Sequence, residues 1–127
     1  MTNATDAAIE QEIVAKGKTA PRVTPPELQA NIVSEHYFTA DDGVQGAFNK
    51  ADKNFGGVPI TEALSLLTFC VLVLRNGFTV TGESACASPE NFDAEIGKKI
   101  ARANAEQKIW PLLGYQLKQN LHDASLG

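Results

Sequence analysis

A chain of 127 residues, 43% apolar and 20% charged, fits a single domain with a core of its own. Its formal charge of −4 argues against a broad basic face of the kind that neutralises duplex phosphates. No run approaches the ~18–20 apolar residues needed to span a bilayer, and the polar start lacks the features of a secretion signal. A protein of the cytoplasm, without membrane or duplex nucleic acid as partner, is therefore expected.

Residues 6–16 read as a first helix, with Asp6 as N-cap, Ile9, Ile13 and Val14 on one side, and Gly17 at the end. After a linker over 18–23, Thr24-Pro25-Pro26-Glu27 has the form of a capping box with proline at the first helical position. This predicts a second helix over about 25–36, with Leu28, Ile32 and Val33 as its apolar stripe. Residues 39–59 are rich in turn formers, among them Asp41-Asp42-Gly43 and Asn54-Phe55-Gly56-Gly57, with a short helix possible over 44–51. The run 59–66 has no clear period and is ambiguous between helix and strand.

Residues 67–82 carry the strongest local signal. An apolar run, then Asn76-Gly77, then alternating Thr and Val residues is the pattern of a hairpin with a two-residue turn. That turn would place Cys70 opposite Glu83 and Cys86 opposite Leu67. An offset of three positions, about 10 Å at 3.3 Å per residue, exceeds disulfide reach, so both thiols are expected to be reduced. In the same register Phe69, Val71 and Val73 share a face with Phe78, Val80 and Gly82. Cys70, Leu72 and Leu74 then face Glu83, Thr81 and Thr79. The first strand is apolar on both sides and should be central, the second nearer an edge.

The all-apolar face needs a cover, and a long helix over about 92–109 supplies it, with Ser88 or Asn91 as N-cap. Phe92, Ile96, Ile100 and Ala103 form one stripe. Gly97, Ala101 and Ala105 form a ridge of small residues suited to close approach, onto the sheet at Gly82 or onto a partner helix. Pro111 should break or kink this helix, leaving a final short element over 112–117 and a polar tail. The fold class expected is α+β: a small antiparallel sheet built on the Asn-Gly hairpin, covered by a long C-terminal helix, with two N-terminal helices.

Chemistry is sparse. His36 and His122 lack metal-ligand spacing, Asp41-Asp42-Gly43 lacks the later acids of a calcium loop, and Ser84 and Cys86 have no positioned base. No phosphate-binding glycine loop, dinucleotide fingerprint or zinc-protease motif occurs. A non-enzymatic protein without metal or cofactor is expected. Lys98, Lys99 and Arg102 form a cationic edge on the long helix, and Arg75 lies at the hairpin tip beside Phe78. A solvated helix face is one reading. The other is an anion pocket in which guanidinium groups hold phosphates, an aromatic ring stacks on a base, and helix-start amides add donors.

The blocks Ile32-Val33-Ser34-Glu35-His36-Tyr37-Phe38-Thr39, Asn76-Gly77-Phe78-Thr79-Val80-Thr81-Gly82-Glu83-Ser84-Ala85, Asn91-Phe92-Asp93 and Ile109-Trp110-Pro111-Leu112-Leu113-Gly114-Tyr115 closely resemble a family of small tailed-phage and prophage proteins labelled by phage gene products forty-nine and sixty-six. The resemblance covers about residues 24–118, flanked by an N-terminal helix and linker over 1–23 and a polar tail over 119–127. Members look similar to anti-defence proteins that sequester the cyclic ADP-ribose signal of Thoeris systems, some of which also hold cyclic oligonucleotides of CBASS-type systems. That similarity implies a homo-oligomeric sponge that grips a small cyclic nucleotide between subunits without cleaving it, inside the infected host. The candidate ligand-binding residues are Arg75, Phe78, Asn91, Phe92, Lys98 and Arg102. The alternative is a protein-binding inhibitor or structural accessory protein of the phage.

Overall fold

The structure is a computed structural model that describes residues 4–51 and 62–127. Its helices are α1 (Ala4–Ala15), α2 (Pro25–Ala30), α3 (Ala40–Ala51), α4 (Glu62–Ser65) and α5 (Ala94–Leu126). The strands β1 (Ile32–Thr39), β2 (Leu67–Leu74) and β3 (Thr79–Ala85) form one antiparallel sheet in the order β1-β2-β3, so the fold is α+β with β2 central. The turn-rich stretch over 52–61, with Asn54-Phe55-Gly56-Gly57 and the start of the ambiguous 59–66 run, lies outside the described residues.

The second helix is shorter than its apolar stripe predicts. Thr24 caps it, its side chain accepting from the Glu27 amide, and Pro25 occupies the first turn. It stops after Ala30 because the hairpin loop engages Asn31: the Arg75 amide donates to the Asn31 backbone oxygen at 2.9 Å and to its Oδ1 at 3.1 Å. Residues 32–39 are thereby a strand and not a helix. Their β-branched and aromatic side chains suit pairing along β2, whose two apolar faces leave no room for a solvated edge. A bulge places Val33 outside the pairing, between Ile32 opposite Leu74 and Ser34 opposite Val73.

At the next boundary Thr39 and Asp42 cap α3 reciprocally. The Asp42 amide donates to Thr39 Oγ1 at 3.1 Å and the Thr39 amide to Asp42 Oδ2 at 3.0 Å. The Asp-Asp-Gly segment that reads as a turn is thus the first turn of a helix. Residues 62–65, ambiguous in sequence, are helical.

The hairpin forms, but its register differs from the expected one. Leu74 and Phe78 close the loop: the Leu74 amide donates to the Phe78 oxygen and the Gly77 amide to the Leu74 oxygen, both at 2.8 Å. The loop therefore holds three residues, 75–77, and only Gly77 has positive φ, at +90°. This is a turn followed by a glycine bulge, which needs one left-handed residue where the two-residue turn needs two. The shift pairs Cys70 with Gly82, Leu72 with Val80 and Val73 with Thr79. The face composed of Cys70, Leu72, Leu74, Val80 and Gly82 is the buried one, and Phe69, Val71 and Val73 lie opposite Glu83, Thr81 and Thr79 on the other. The Cys86 amide bonds the Leu66 oxygen, one position further from Cys70 than expected, and both cysteines are free thiols. Gly77→Val should cost more than about 1 kcal/mol in a urea titration, since a β-branched residue resists this φ.

Helix α5 covers the buried face. Asp93 caps it, its Oδ1 accepting from the Glu95 and Ile96 amides at 2.9 and 3.1 Å, in place of Ser88 or Asn91. Asp6, expected as the cap of α1, sits inside that helix and binds Trp110 instead. The small-residue ridge of α5 makes the contact: Gly97 lies over Thr68, and Ala101 and Ala105, both fully buried, lie against Gly82. The aliphatic stripe does not face the core, for Ile96 and Ile100 are 55% and 47% exposed. At 33 residues α5 is about 50 Å long, roughly twice the length of the strands it covers. It runs through Pro111 and through the expected polar tail to Leu126. Past the proline, Leu113 packs against the core, and this contact supports the continued helix. The core is small: Leu28, Cys70, Leu72, Leu74, Val80, Ala101, Ala105 and Ile109.

Candidate functional site

The six candidate residues fall in three places. Lys98 and Arg102 lie on the side of α5 that faces β1. Lys98 is exposed, 3.9 Å from Glu95, with its ammonium 5.9 Å from the centre of the Tyr37 ring. Burial pushes the Tyr37 hydroxyl up to about 12. Arg102 is only 6% exposed, and each of its three guanidinium nitrogens donates to a protein oxygen. Nε donates to Glu35 Oε2 at 3.2 Å, one terminal nitrogen to Glu106 Oε1 at 3.0 Å, and the other to Gln29 Oε1 at 3.2 Å. Glu106 is 3% exposed, and burial pushes its carboxyl above the usual range, opposed by hydrogen bonding from Gln29 and by the charge of Arg102. This cluster joins α2, β1 and α5, and the burial of Arg102 behind these partners withholds its guanidinium from a phosphate.

Asn91 and Phe92 lie at the start of α5. They line a cleft of about 280 Å³ with Leu66, Cys86, Ile96 and Ile100. The helix-start amides that could meet an anion there are capped by Asp93, whose own negative charge repels one. The Cys86 thiol donates to the Ser88 carbonyl at 3.2 Å. This end is apolar and carries no cation among its lining residues.

Arg75 and Phe78 meet at the opposite end of the β2–β3 ribbon, where the hairpin loop abuts the middle of α5. Two adjoining hollows lie there, of about 290 and 230 Å³, sharing Asn31, Leu113 and Gln116 as a common wall. The larger is lined by Arg75, Glu27, Asn31, Gln116 and Asn120, with Val23, Leu113 and Leu117 beneath. The smaller adds Phe78, Asn76 and Leu112. Each polar group is placed by local structure. Arg75 Nη2 donates to the Ala30 carbonyl at 2.9 Å, which fixes the guanidinium against the end of α2 while leaving its other donors open. Asn76 Oδ1 accepts from the Phe78 amide at 2.9 Å, turning the Phe78 ring outward, 56% exposed. Gln116 and Asn120 stand one helical turn apart, as do Leu113 and Leu117, giving α5 an amide row beside an apolar row.

Such a groove offers one guanidinium for a phosphate, one carboxylate for paired hydroxyls, primary amides for the polar edge of a base and a phenyl ring for stacking. Glu27, Asn31, Gln116 and Asn120 escape the sequence reading. The signal for the last two is the paired polar and apolar spacing beyond Pro111, visible only if the helix is carried through that proline. Asn31 reads as an interior helical residue until the hairpin is docked on it.

Among the described residues no group of histidines, cysteines and carboxylates is arranged to hold a metal ion, and no helix is long and apolar enough to cross a membrane. No curated protein and no solved structure matches the chain. A family model, described as the phage protein (N4 Gp49/phage Sf6 gene 66) family, matches residues 23–121, which span β1, the hairpin, the groove and most of α5. The chain belongs to this family of phage proteins.

Proposed function

We propose that this phage protein is a non-enzymatic accessory protein of counter-defence, which binds and holds a small cyclic nucleotide signal in the cytoplasm of the infected host. The observation that carries the reading is the hairpin-tip groove, where a guanidinium, a carboxylate, four primary amides and an exposed phenyl ring line two adjoining hollows. Its balance of one cation and one anion suits a ligand with one or two phosphates and free ribose hydroxyls better than a longer polyanion. Cyclic ADP-ribose isomers are of that kind, and cyclic dinucleotides are the next candidates. The groove is open on one side, as a site shared between the subunits of a homo-oligomer would be.

Binding without turnover is supported by the surroundings. The groove lining holds no histidine or cysteine, and its only carboxylate, Glu27, has no nucleophile beside it in that lining. The protein is to be incubated with cyclic ADP-ribose isomers, freed of small molecules, denatured by heat, and the supernatant analysed by mass spectrometry. Intact signal in the supernatant is the expected result. Cleaved product would instead mark an enzyme, and an empty supernatant with every signal would reject the sponge reading.

A second reading rests on a different observation. The sheet face turned away from α5 carries Val71 and Val73, together with Phe38 stacked on Phe69 at 5.6 Å between ring centres, and Phe38 is still 38% exposed. An apolar face of this kind suits a protein-binding inhibitor or a structural accessory protein.

A further inference from the structure

The N-terminal helix stands apart from the rest of the molecule. It lies outside residues 23–121 matched by the family model, and none of its described residues is buried. Polar contacts tie it to the body. Trp110 Nε1 donates to Asp6 Oδ2 at 3.2 Å, and Arg22 donates to Glu10 Oε2 at 2.7 Å. Between them lies a cleft of about 280 Å³, walled by Ile9 and Ile13 of α1 and by Val23, Pro25 and Trp110 of the body. The arm covers this cleft without filling it, for Ile9 remains 52% exposed. A helix of twelve residues is marginal alone, so α1 needs a groove to lie in but is not locked into this one.

We propose that the Trp110 groove is the docking site for α1 of a second copy, and that two copies assemble by exchanging these arms. The connecting residues 16–21 are all exposed, and Gly17 turns the chain at φ +69°. Six residues reach about 20 Å when extended, enough to carry the arm away from its own groove. Arg22 lies on the body side of this hinge. An arm arriving from a second copy therefore meets the same Arg22, Val23, Pro25 and Trp110, and places its Asp6, Glu10, Ile9 and Ile13 on them as the resident arm does. Exchange creates the closed, self-complementary contact of a two-fold dimer without any new surface having to match. The proposal rests on the arm alone and holds whatever the hairpin-tip groove binds.

Light scattering on the full chain tests it, with Trp110, the only tryptophan, as a fluorescent reporter of the groove. At micromolar concentration the protein should have twice its 13.6 kDa chain mass. Deleting residues 18–20 shortens the hinge so that an arm reaches a neighbour's groove more readily than its own. That protein should remain a dimer with unchanged Trp110 emission. The triple variant D6A/I9S/I13S should be a monomer with red-shifted emission. A monomeric hinge deletion, a red shift in the hinge deletion, or a triple variant that stays dimeric would each overturn the exchange. The masses and the Trp110 emission are read without any ligand, which keeps this outcome separate from the sponge reading.

Discussion

Gly82→Ala is expected to destabilise the protein by about 3 kcal/mol or more, lowering its melting temperature by on the order of 10 °C. A Cβ at this position would run into the carbonyl of Ala101 and the amide nitrogen of Ala105, both backbone atoms of α5. A side chain in the way could rotate, but the backbone of a helix can yield only by lifting the whole element off β3. That movement would open the contact beneath Ala101, Ala105 and Ile109, all fully buried. The matching control is Gly46→Ala, where a Cβ meets nothing within 4 Å and a small gain in helix stability is expected. Thermal denaturation of the two variants checks the contrast. Equal melting temperatures would mean that α5 does not lie where the small-residue ridge places it.

Arg102→Ala should have an effect of similar size for an electrostatic reason. Removing the guanidinium leaves Glu106, 3% exposed, without its ion-pair partner, and breaking a buried pair in this way costs about 3–5 kcal/mol. The loss should depend on pH. Burial already raises the Glu106 carboxyl above its unfolded value, and without Arg102 that push is less opposed. A carboxyl whose pKa is raised on folding binds more protons in the folded than in the unfolded state. Stability is then greater below the unfolded pKa and is lost as pH rises toward the folded one. The deficit of the variant should therefore be largest near neutral pH and shrink on acidification, as Glu106 takes up a proton. Denaturant titrations at pH 7 and pH 5 measure this. A deficit that stays constant would show that Arg102 contributes only packing. The double variant R102M/E106L, which removes both charges and keeps volume, should recover much of the loss.

The parts of the fold legible in sequence are those encoded by local chemistry. The hairpin, the central place of β2, the long covering helix and a close approach of its small-residue ridge to the sheet all follow from residue type and spacing. What was hidden depends on partners distant in the chain. Residues 32–39 have an apolar spacing compatible with a helix, and only pairing with β2 and the engagement of Asn31 by the hairpin loop make them a strand. The register turned on whether Asn76 joins Gly77 at positive φ, a choice the dipeptide leaves open. One position of slip exchanged the two faces of β2, so Cys70, Leu72 and Leu74 became core. The same limit governs the site. Arg102 reads as a free cation because Glu35 and Gln29, both far off in sequence, cannot be seen to enclose it. Arg75 and Phe78 are near neighbours in sequence and line adjoining hollows, whereas Asn91 and Phe92 fall at the other end of the sheet.

The central claim is that the hairpin-tip groove holds a nucleotide, and isothermal titration calorimetry of the wild-type protein and of Arg75→Ala and Asn120→Ala tests it most directly. Cyclic ADP-ribose isomers and cyclic dinucleotides are the ligands to titrate. A charge-assisted contact with phosphate is worth roughly 1.5–3 kcal/mol, so Arg75→Ala should weaken binding by about ten- to a hundredfold. Asn120→Ala should weaken it by less, and Lys98→Ala, distant from the groove, should leave it unchanged. Absence of heat with every ligand, or an affinity that Lys98→Ala lowers and Arg75→Ala does not, would contradict the account and move the function to the sheet face turned away from α5.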